Sequence, residues 1–448
     1  MATAVLARLD NRVARRRSLA VAAILLVGLL VRLPLVNADM HTSSDLESFV
    51  RWATTAHERG VTQIYDGTDV NYGPLSVYLF ATAAFVETHL PESLQGEGAL
   101  IALIKLPSIL ADVLTAGLLA WTLGRGSRAP SVALAACALY LFNPAIWYVS
   151  VYWGQTDSIY TLFLVAAIIA LERGAVVPAW LAYTAAISLK LLAVSAAPLL
   201  VAGTVARHGW RGLASGLTAA IAAAALIFSP WLVTGRIGQV LRSAYVGLPA
   251  EPPRVDVSAY NAWYLLFQGR VHNASSVAHV AFLPVTYQAL GGLMFGVFAV
   301  GVVALTLRRG NGVILAAATL SLGMFMLLTQ MRERYLVPVV ALLLLVAAQQ
   351  TARRTRGARG HLGTWWDYGL ISLSLLFNVV TIGSFAPSLF TNVVAAEPES
   401  ARILVLKGIS LVVAAANLVV LARLTAKIAG IQKFGAIEHT GEWRLRRR

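Results

Sequence analysis

The sequence predicts an all-α polytopic membrane protein with about twelve transmembrane helices and interfacial helices in a long first external loop. Three observations carry this. Across 448 residues, 58% are apolar and only 13% charged, where a soluble domain carries roughly a quarter charged. The mean hydropathy is +0.70. Apolar runs near 20 residues recur, each long enough to cross a hydrocarbon core about 30 Å thick.

Taken in order, the runs fall near 18–36, 99–123, 131–149, 157–172, 175–188, 190–206, 212–234, 284–307, 312–329, 335–349, 367–386 and 402–425. The first is too long for a signal-peptide core and has no small-residue cleavage site, so it reads as a retained span. Leu75 to Val86 is about a dozen residues and starts at Pro74, which suits an interfacial or re-entrant helix rather than a crossing. Residues 1–448 read as a single transmembrane domain, with long external segments at 37–98 and 235–283 and a basic cytoplasmic tail at 427–448. Both segments exceed what a connector needs and read as working surfaces.

Orientation tests that count, because one misplaced span would invert every later loop. With Arg15-Arg16-Arg17 in the cytoplasm, alternate turns receive Arg125 and Arg128, Arg173, Arg207 and Arg211, Arg308 and Arg309, Arg353, Arg354, Arg356 and Arg359, and finally Arg446-Arg447-Arg448. Counting Leu75 to Val86 as a span would move most of these outside. The net charge of +15 and pI near 10.3 therefore reflect topology in a bilayer and give no case for nucleic acid. The lone Cys137 permits no intrachain disulfide and no cysteine metal cluster. His41, His57, His89, His272 and His279 are external but lack ligand-like spacing.

The candidates for chemistry lie outside. Ser44 and Glu47 have capping-box spacing, so a helix begins there. Leu46, Phe49, Val50 and Ala53 form its apolar stripe, and Glu47 and Arg51 are expected to pair at i,i+4. Asp45 sits in its first turn, where the helix dipole favours an ionised carboxylate. It either improves the cap or serves as a catalytic base. Tyr72, in Asn71-Tyr72-Gly73-Pro74-Leu75, either lines a sugar pocket or anchors the interface. The stretch Trp147 to Ser158 sets Tyr152 and Trp153 beside Gln155, Thr156 and Asp157; an aromatic belt does not call for that polar set, and sugar or acceptor contact is the favoured reading.

Lys190, in Ile187-Ser188-Leu189-Lys190-Leu191-Leu192, occupies an apolar hairpin. An ammonium at bilayer depth costs roughly 2.5–3.5 kcal/mol unless it snorkels or meets an anion, here the phosphate of a lipid carrier. In Thr329-Gln330-Met331-Arg332-Glu333-Arg334-Tyr335-Leu336, external arginines run against the orientation bias. Arg332 and Arg334 either grip phosphate, with Glu333 orienting one of them, or tie the turn down. Lys105 and Asp112 lie seven apart on one face of the second span, which suggests buried pairing between helices. Ser258 to Tyr264 either contacts the acceptor or docks its loop.

One external carboxylate, cations near the membrane surface and aromatic platforms fit hexosyl transfer from a polyprenyl-phosphate sugar to a glycan or lipid-linked acceptor. Phosphate is a good leaving group, so one base and cationic stabilisation suffice, and a single displacement inverts the anomeric carbon. Asp45 would be the base; Lys190, Arg332 and Arg334 would hold the donor phosphate; Glu47, Tyr72, Tyr152, Trp153, Gln155, Asp157 and Glu333 would shape the sugar and acceptor sites.

Four motifs, Asp45-Leu46-Glu47 through Trp52, Tyr72-Gly73-Pro74-Leu75, Trp153-Gly154-Gln155 to Asp157, and Ser188-Leu189-Lys190, are followed by Arg332-Glu333-Arg334-Tyr335-Leu336. In this order the chain resembles the GT-C glycosyltransferases, within them the polyprenyl- or dolichyl-phosphate-sugar-dependent enzymes related to the glucosyltransferases of N-glycan precursor assembly and to bacterial membrane mannosyltransferases. The resemblance implies a GT-C-like fold, mannose or glucose as the sugar, Asp45 as catalytic aspartate, and Lys190 and the turn at Arg332 near the carrier phosphate. Similar enzymes often have His at Arg332 and Tyr-Pro-Pro at Tyr72-Gly73-Pro74. The Asp-x-Glu form leaves dependence on a divalent cation, Mg or Mn, open.

The rival is an ion-coupled secondary transporter or a flippase for lipid-linked sugars, which would concentrate polar groups at the midplane on broken helices. Most acidic and aromatic candidates here are in loops instead. Richness in Ala, Val and Arg, with no organelle signal, points to a bacterial plasma membrane with the site on its extracytoplasmic side.

Overall fold

The computed structural model describes residues 2–37, 44–124, 130–246, 254–255, 259–267, 275, 277–280, 284–310, 312–353, 362–383 and 401–431. Arg125, Arg128, Arg354, Arg356, Arg359, His41, His272, Ser258 and the basic tail from 432 onwards lie outside them. Within them the chain is an all-α polytopic membrane protein. Each apolar run read from the sequence contributes a helix: α1 (Ala2–Arg32), α4 (Glu97–Gly124), α5 (Pro130–Leu141) with α6 (Pro144–Trp147), α7 (Asp157–Glu172), α8 (Val176–Leu189), α9 (Ala197–Ile227), α13 (Tyr287–Arg309), α14 (Val313–Leu327), α15 (Val337–Ala352), α16 (Leu362–Gly383) and α17 (Ala401–Ile428). Between them lie α2 (Ser44–Arg59), α3 (Pro74–Thr88), and the short α10 (Ser229–Val233), α11 (Ile237–Leu241) and α12 (Ala262–Leu266).

Among the described residues, six helices are long and apolar enough to cross a membrane, or seven if α5 and the segment Pro144–Tyr152, bent by 41°, form one broken span. This is fewer than the twelve expected, and two features account for much of the difference. Helices α7, α8 and α14 stop at 16, 14 and 15 residues, about 21–24 Å of rise. The runs expected at 190–206 and 212–234 merge into one element, although Gly209, with φ 66° and ψ −169°, breaks α9 where a turn was expected. Helix α3 is a shorter apolar helix of 15 residues, as its Pro74 start and length suggested.

Burial orders the bundle. In α15, 72% of the apolar window is buried, against 11% in α1, so α15 runs through the centre and α1 lines the periphery. A second apolar core joins the first-loop helices to the segment after α9: Leu46, Phe49, Trp52 and Ala53 of α2 pack with Tyr72, Val77 and Phe80, and with Trp231, Val240 and Ala244. Arg236 pairs with Asp66 across this seam. The expected stripe of α2 is thus buried, with Trp52 added. The expected Glu47–Arg51 pair does not form. Arg51 reaches Asp69 at 2.5 Å, and Asp69 also accepts from the Trp52 indole, because the incoming chain places an acceptor nearer than the next turn of α2.

Three of the arginines that mark alternate turns gather at one end of the bundle. Arg17 donates to the Gly124 carbonyl at 2.9 Å, Arg173 lies over Trp121, and Arg207 donates to the Glu172 carbonyl at 2.6 Å. These are C-terminal carbonyls of α4 and α7, where a cation complements the helix dipole. Asp157, Leu189 and Arg334 lie at the opposite ends of α7, α8 and the segment leading into α15.

Candidate active site

That opposite end collects nearly every charged candidate. Asp45 stands in the first turn of α2. Its carboxylate is 3.0 Å from the Arg334 guanidinium, 3.8 Å from that of Arg332, and accepts from the Gln155 amide at 3.2 Å. Burial works to raise the Asp45 carboxyl, but Arg334, Arg332, Lys190 and the Gln155 amide outweigh it and hold the group below the usual carboxylate range.

Asp157 opens α7 and is fully buried. Its oxygens lie 2.9 and 3.0 Å from the Lys190 ammonium and 3.4 Å from Arg334 Nε. Lys190, extended between α8 and the turn beginning at Leu191, lies 5.2, 5.8 and 4.9 Å from the ring centres of Tyr72, Tyr160 and Tyr335. Arg334 also holds Glu333 at 2.7 Å and lies over Trp153 at 5.1 Å. Three carboxylates, Asp45, Asp157 and Glu333, thereby meet three cations, Lys190, Arg332 and Arg334.

Local sequence explains the convergence. Gly73 caps α3 with its backbone against the 188–190 segment: its amide donates to Leu189 O at 3.3 Å, and an added Cβ would lie 2.2 Å from Ser188 O. That close approach, together with Pro74 at the first helical position, lays Tyr72 beside Lys190. Burial pushes the Tyr72 phenol up to about 12, so the ring stays neutral next to the ammonium. Gly154 has φ 75°, and its Cβ would lie 2.9 Å from Lys105 Cε; a side chain here would jam the turn that aims Gln155 at Asp45. The Gln155 carbonyl accepts from Ser108 at 2.7 Å, fastening that turn to α4.

Several candidates stand elsewhere or act differently. Glu47 is exposed, two residues from Asp45 and so on another face of α2. Tyr152 is 36% exposed and packs on Tyr148, because a turn of π-helix at Tyr148–Tyr152 swings it outward. Asp157, expected at the sugar, has both oxygens committed to Lys190 and Arg334. Lys190, expected to snorkel or to meet a carrier phosphate, is paired with Asp157 and lies 9% exposed. Tyr160 and Tyr335 were missed. Tyr160 follows Asp157 by three positions on α7, hence on one face, and that spacing was the available signal.

The donor set does not fit a divalent cation. Glu47 is turned away, the converging carboxylates are already matched by Lys and Arg, and among the described residues no three His, Cys, Asp or Glu side chains are grouped to hold a metal.

The other buried charges are interhelical ties. Asp112 lies 3.7 Å from Arg32, accepts from Ser150 at 2.5 Å, and is fully buried with its partner. Lys105 donates to Val36 O at 3.0 Å, so the two do not pair with each other. Asp367 binds Lys427 and Arg423 between α16 and α17. Tyr260 to Tyr264 docks its loop: Asn261 caps α12 and reaches Phe325 O at 3.2 Å, and Trp263 donates to Leu327 O at 2.9 Å.

No curated protein matches the chain. A sequence model of the family described as GPI transamidase subunit PIG-U matches residues 18–246, a stretch that contains Asp45, Tyr72, Gln155, Asp157 and Lys190 and stops before Arg332. With half of its length matched, the chain belongs to the PIG-U family of membrane proteins.

Proposed function

We propose that the protein is an inverting membrane hexosyltransferase that takes its sugar from a polyprenyl-phosphate carrier, with the Asp45 end of the bundle on the extracytoplasmic side of a bacterial plasma membrane. The observation that carries this reading is the position of Asp45. It is a partly exposed carboxylate at a helix N-terminus, with two guanidiniums within 4 Å and a lysine behind them.

In the proposed step the acceptor hydroxyl gives its proton to Asp45 while its oxygen bonds to the anomeric carbon. The bond from that carbon to the phosphate oxygen breaks, and its electron pair leaves with the phosphate. The carrier passes from a singly charged diester to a monoester with one more negative charge. Asp45 loses its own charge in the same step, so the cation that faced it is released as the phosphate needs it. Asp157 and Glu333 hold Arg334 and Lys190 in place through the change. Trp153 and Tyr72, both buried, pack against Arg334 and Lys190 and help keep the cations in place.

A second reading follows from the family description: the same pocket would bind a lipid-linked glycan without transferring it, as a subunit of a larger assembly. The test is incubation of purified protein with a panel of polyprenyl-phosphate hexoses and glycan acceptors. The glycosyltransferase reading expects release of polyprenyl phosphate by the wild type and none by Asp45→Asn with donor binding retained. Equal transfer by Asp45→Asn would remove Asp45 from the mechanism. Binding of lipid-linked glycans with no transfer from any donor would favour the second reading. The transporter reading is weakened by Lys105 and Asp112, which are tied to Val36 O and Arg32.

A further inference from the structure

Away from the Asp45 site, a groove of about 390 Å³ runs between α13 and α17, lined by Phe298 of α13 and by Leu418, Ala422, Ala426, Ala429 and Ile431 along and just past α17. Its walls are carbon. Thr425, which also lines it, turns its hydroxyl onto the Leu421 carbonyl at 2.8 Å. Phe298 packs back against Gly323 of α14, where an added Cβ would collide with the ring, and the alanines of α17 leave the space beside it open. Val297 and Val300 of α13 and Val419 of α17, next to the lining residues, are 67, 69 and 54% exposed. In a membrane that surface meets lipid.

One end of the groove is basic. Gly430, with φ 66°, turns the chain after α17: its amide donates to Lys427 O at 3.1 Å and the Ile431 amide to Ala426 O at 3.0 Å, the bonds of a Schellman turn. The Arg309 guanidinium lies against this turn, since a Cβ on Gly430 would collide with it. Arg308 and Arg309 end α13 and are exposed. Asp367, the nearby carboxylate, is already shared by Lys427 and Arg423. Contacts place this at the same end as Arg17, Arg173 and Arg207: Lys427 reaches Thr364 at the start of α16, Thr364 reaches Gln350 at the end of α15, and Gln349 beside it faces Glu172 at the end of α7.

We propose that this groove holds one acyl chain of an anionic phospholipid whose phosphate lies on Arg308 and Arg309, a lipid site separate from the Asp45 site and independent of the transferase reading.

Shape selects the occupant. From Leu418 to Ala429 the groove follows α17 for about 17 Å, close to half of a hydrocarbon core about 30 Å thick, hence one leaflet. Its volume over that length gives a mean cross-section of about 23 Å², whereas a helix about 10 Å across needs about 80 Å². A single extended chain enters; a helix of a second copy does not. Charge selects the headgroup. A guanidinium binds phosphate through its fork of donors, and a basic lip on a groove between membrane helices favours a lipid with net negative charge over a zwitterionic one.

The test is native mass spectrometry of the full chain in mild detergent, titrated with phosphatidylglycerol or with phosphatidylcholine of the same acyl chains. The wild type is expected to take up one phosphatidylglycerol about tenfold more tightly than phosphatidylcholine. Arg308→Gln combined with Arg309→Gln should bring phosphatidylglycerol down to the phosphatidylcholine level and leave phosphatidylcholine unchanged. Ala422→Phe combined with Ala426→Phe, which fills the groove and keeps both arginines, should also lose the tight lipid. Equal affinity of the wild type for the two lipids would overturn the proposal, as would an undiminished preference in either double variant. A doubled mass that the groove-filling variant abolishes would assign the groove to a second copy and overturn it as well.

Discussion

Asp157 is the residue whose removal should separate support from chemistry. It holds Lys190 and Arg334 from a fully buried position. Asp157→Asn should lower stability by about 3–5 kcal/mol, because breaking one side of a buried pair leaves the other uncompensated; a thermal melt in detergent measures this. Glu47→Gln, on an exposed side chain, should change neither the melt nor donor binding. Asp45 and Lys190 were conspicuous in the sequence because a charge beside an apolar run invites a question. Their partners were not. Asp157 lies 33 positions before Lys190, and only packing of α7 against α8 joins them. Tyr160 was hidden because a tyrosine within an apolar helix reads as core until a cation is found beside it.

Among the elements, the start of α3 makes the sharpest demand. Gly73→Ala would set a methyl 2.2 Å from Ser188 O, and backbone on both sides leaves little room to yield. Tyr72 should then withdraw from Lys190. The expected outcome is weakened donor binding with a small loss of stability, measured by calorimetric titration with a polyprenyl-phosphohexose and by a melt. The start of α3 at Pro74 and its short length, the N-terminal position of Asp45 on α2 and the buried stripe of α2 were all legible from caps and periodicity. The π-turn at Tyr148–Tyr152 was not, since an extra residue in a helical turn leaves no mark on apolar patterning, and the outward position of Tyr152 could not be read for that reason. The Arg32–Asp112 tie between α1 and α4 gives a second test at this scale. Asp112→Ala should destabilise by about 3–5 kcal/mol, and Arg32→Met combined with Asp112→Leu should recover most of it.

At the scale of the whole molecule, the distribution of arginines foretold which helix ends lie together, and Arg17, Arg173 and Arg207 do cluster at the C-termini of α4 and α7. Helix number was less legible, because hydropathy alone does not distinguish a 14-residue helix inside the bundle from a full crossing. Sidedness is open to a direct check. In a Cys137→Ala background, Glu47→Cys and Arg211→Cys, both at exposed positions, should react with a membrane-impermeant maleimide from opposite sides of sealed vesicles; labelling from the same side would sink the orientation. Among the described residues the site matches three acids with three bases, and this bears on how a ligand finds it. A patch with no surplus charge casts little long-range field, so it gains little from the electrostatic steering that accelerates capture of ions from solution. Encounter would then be set by lateral diffusion of the carrier within its leaflet, and the association rate should hardly change with ionic strength.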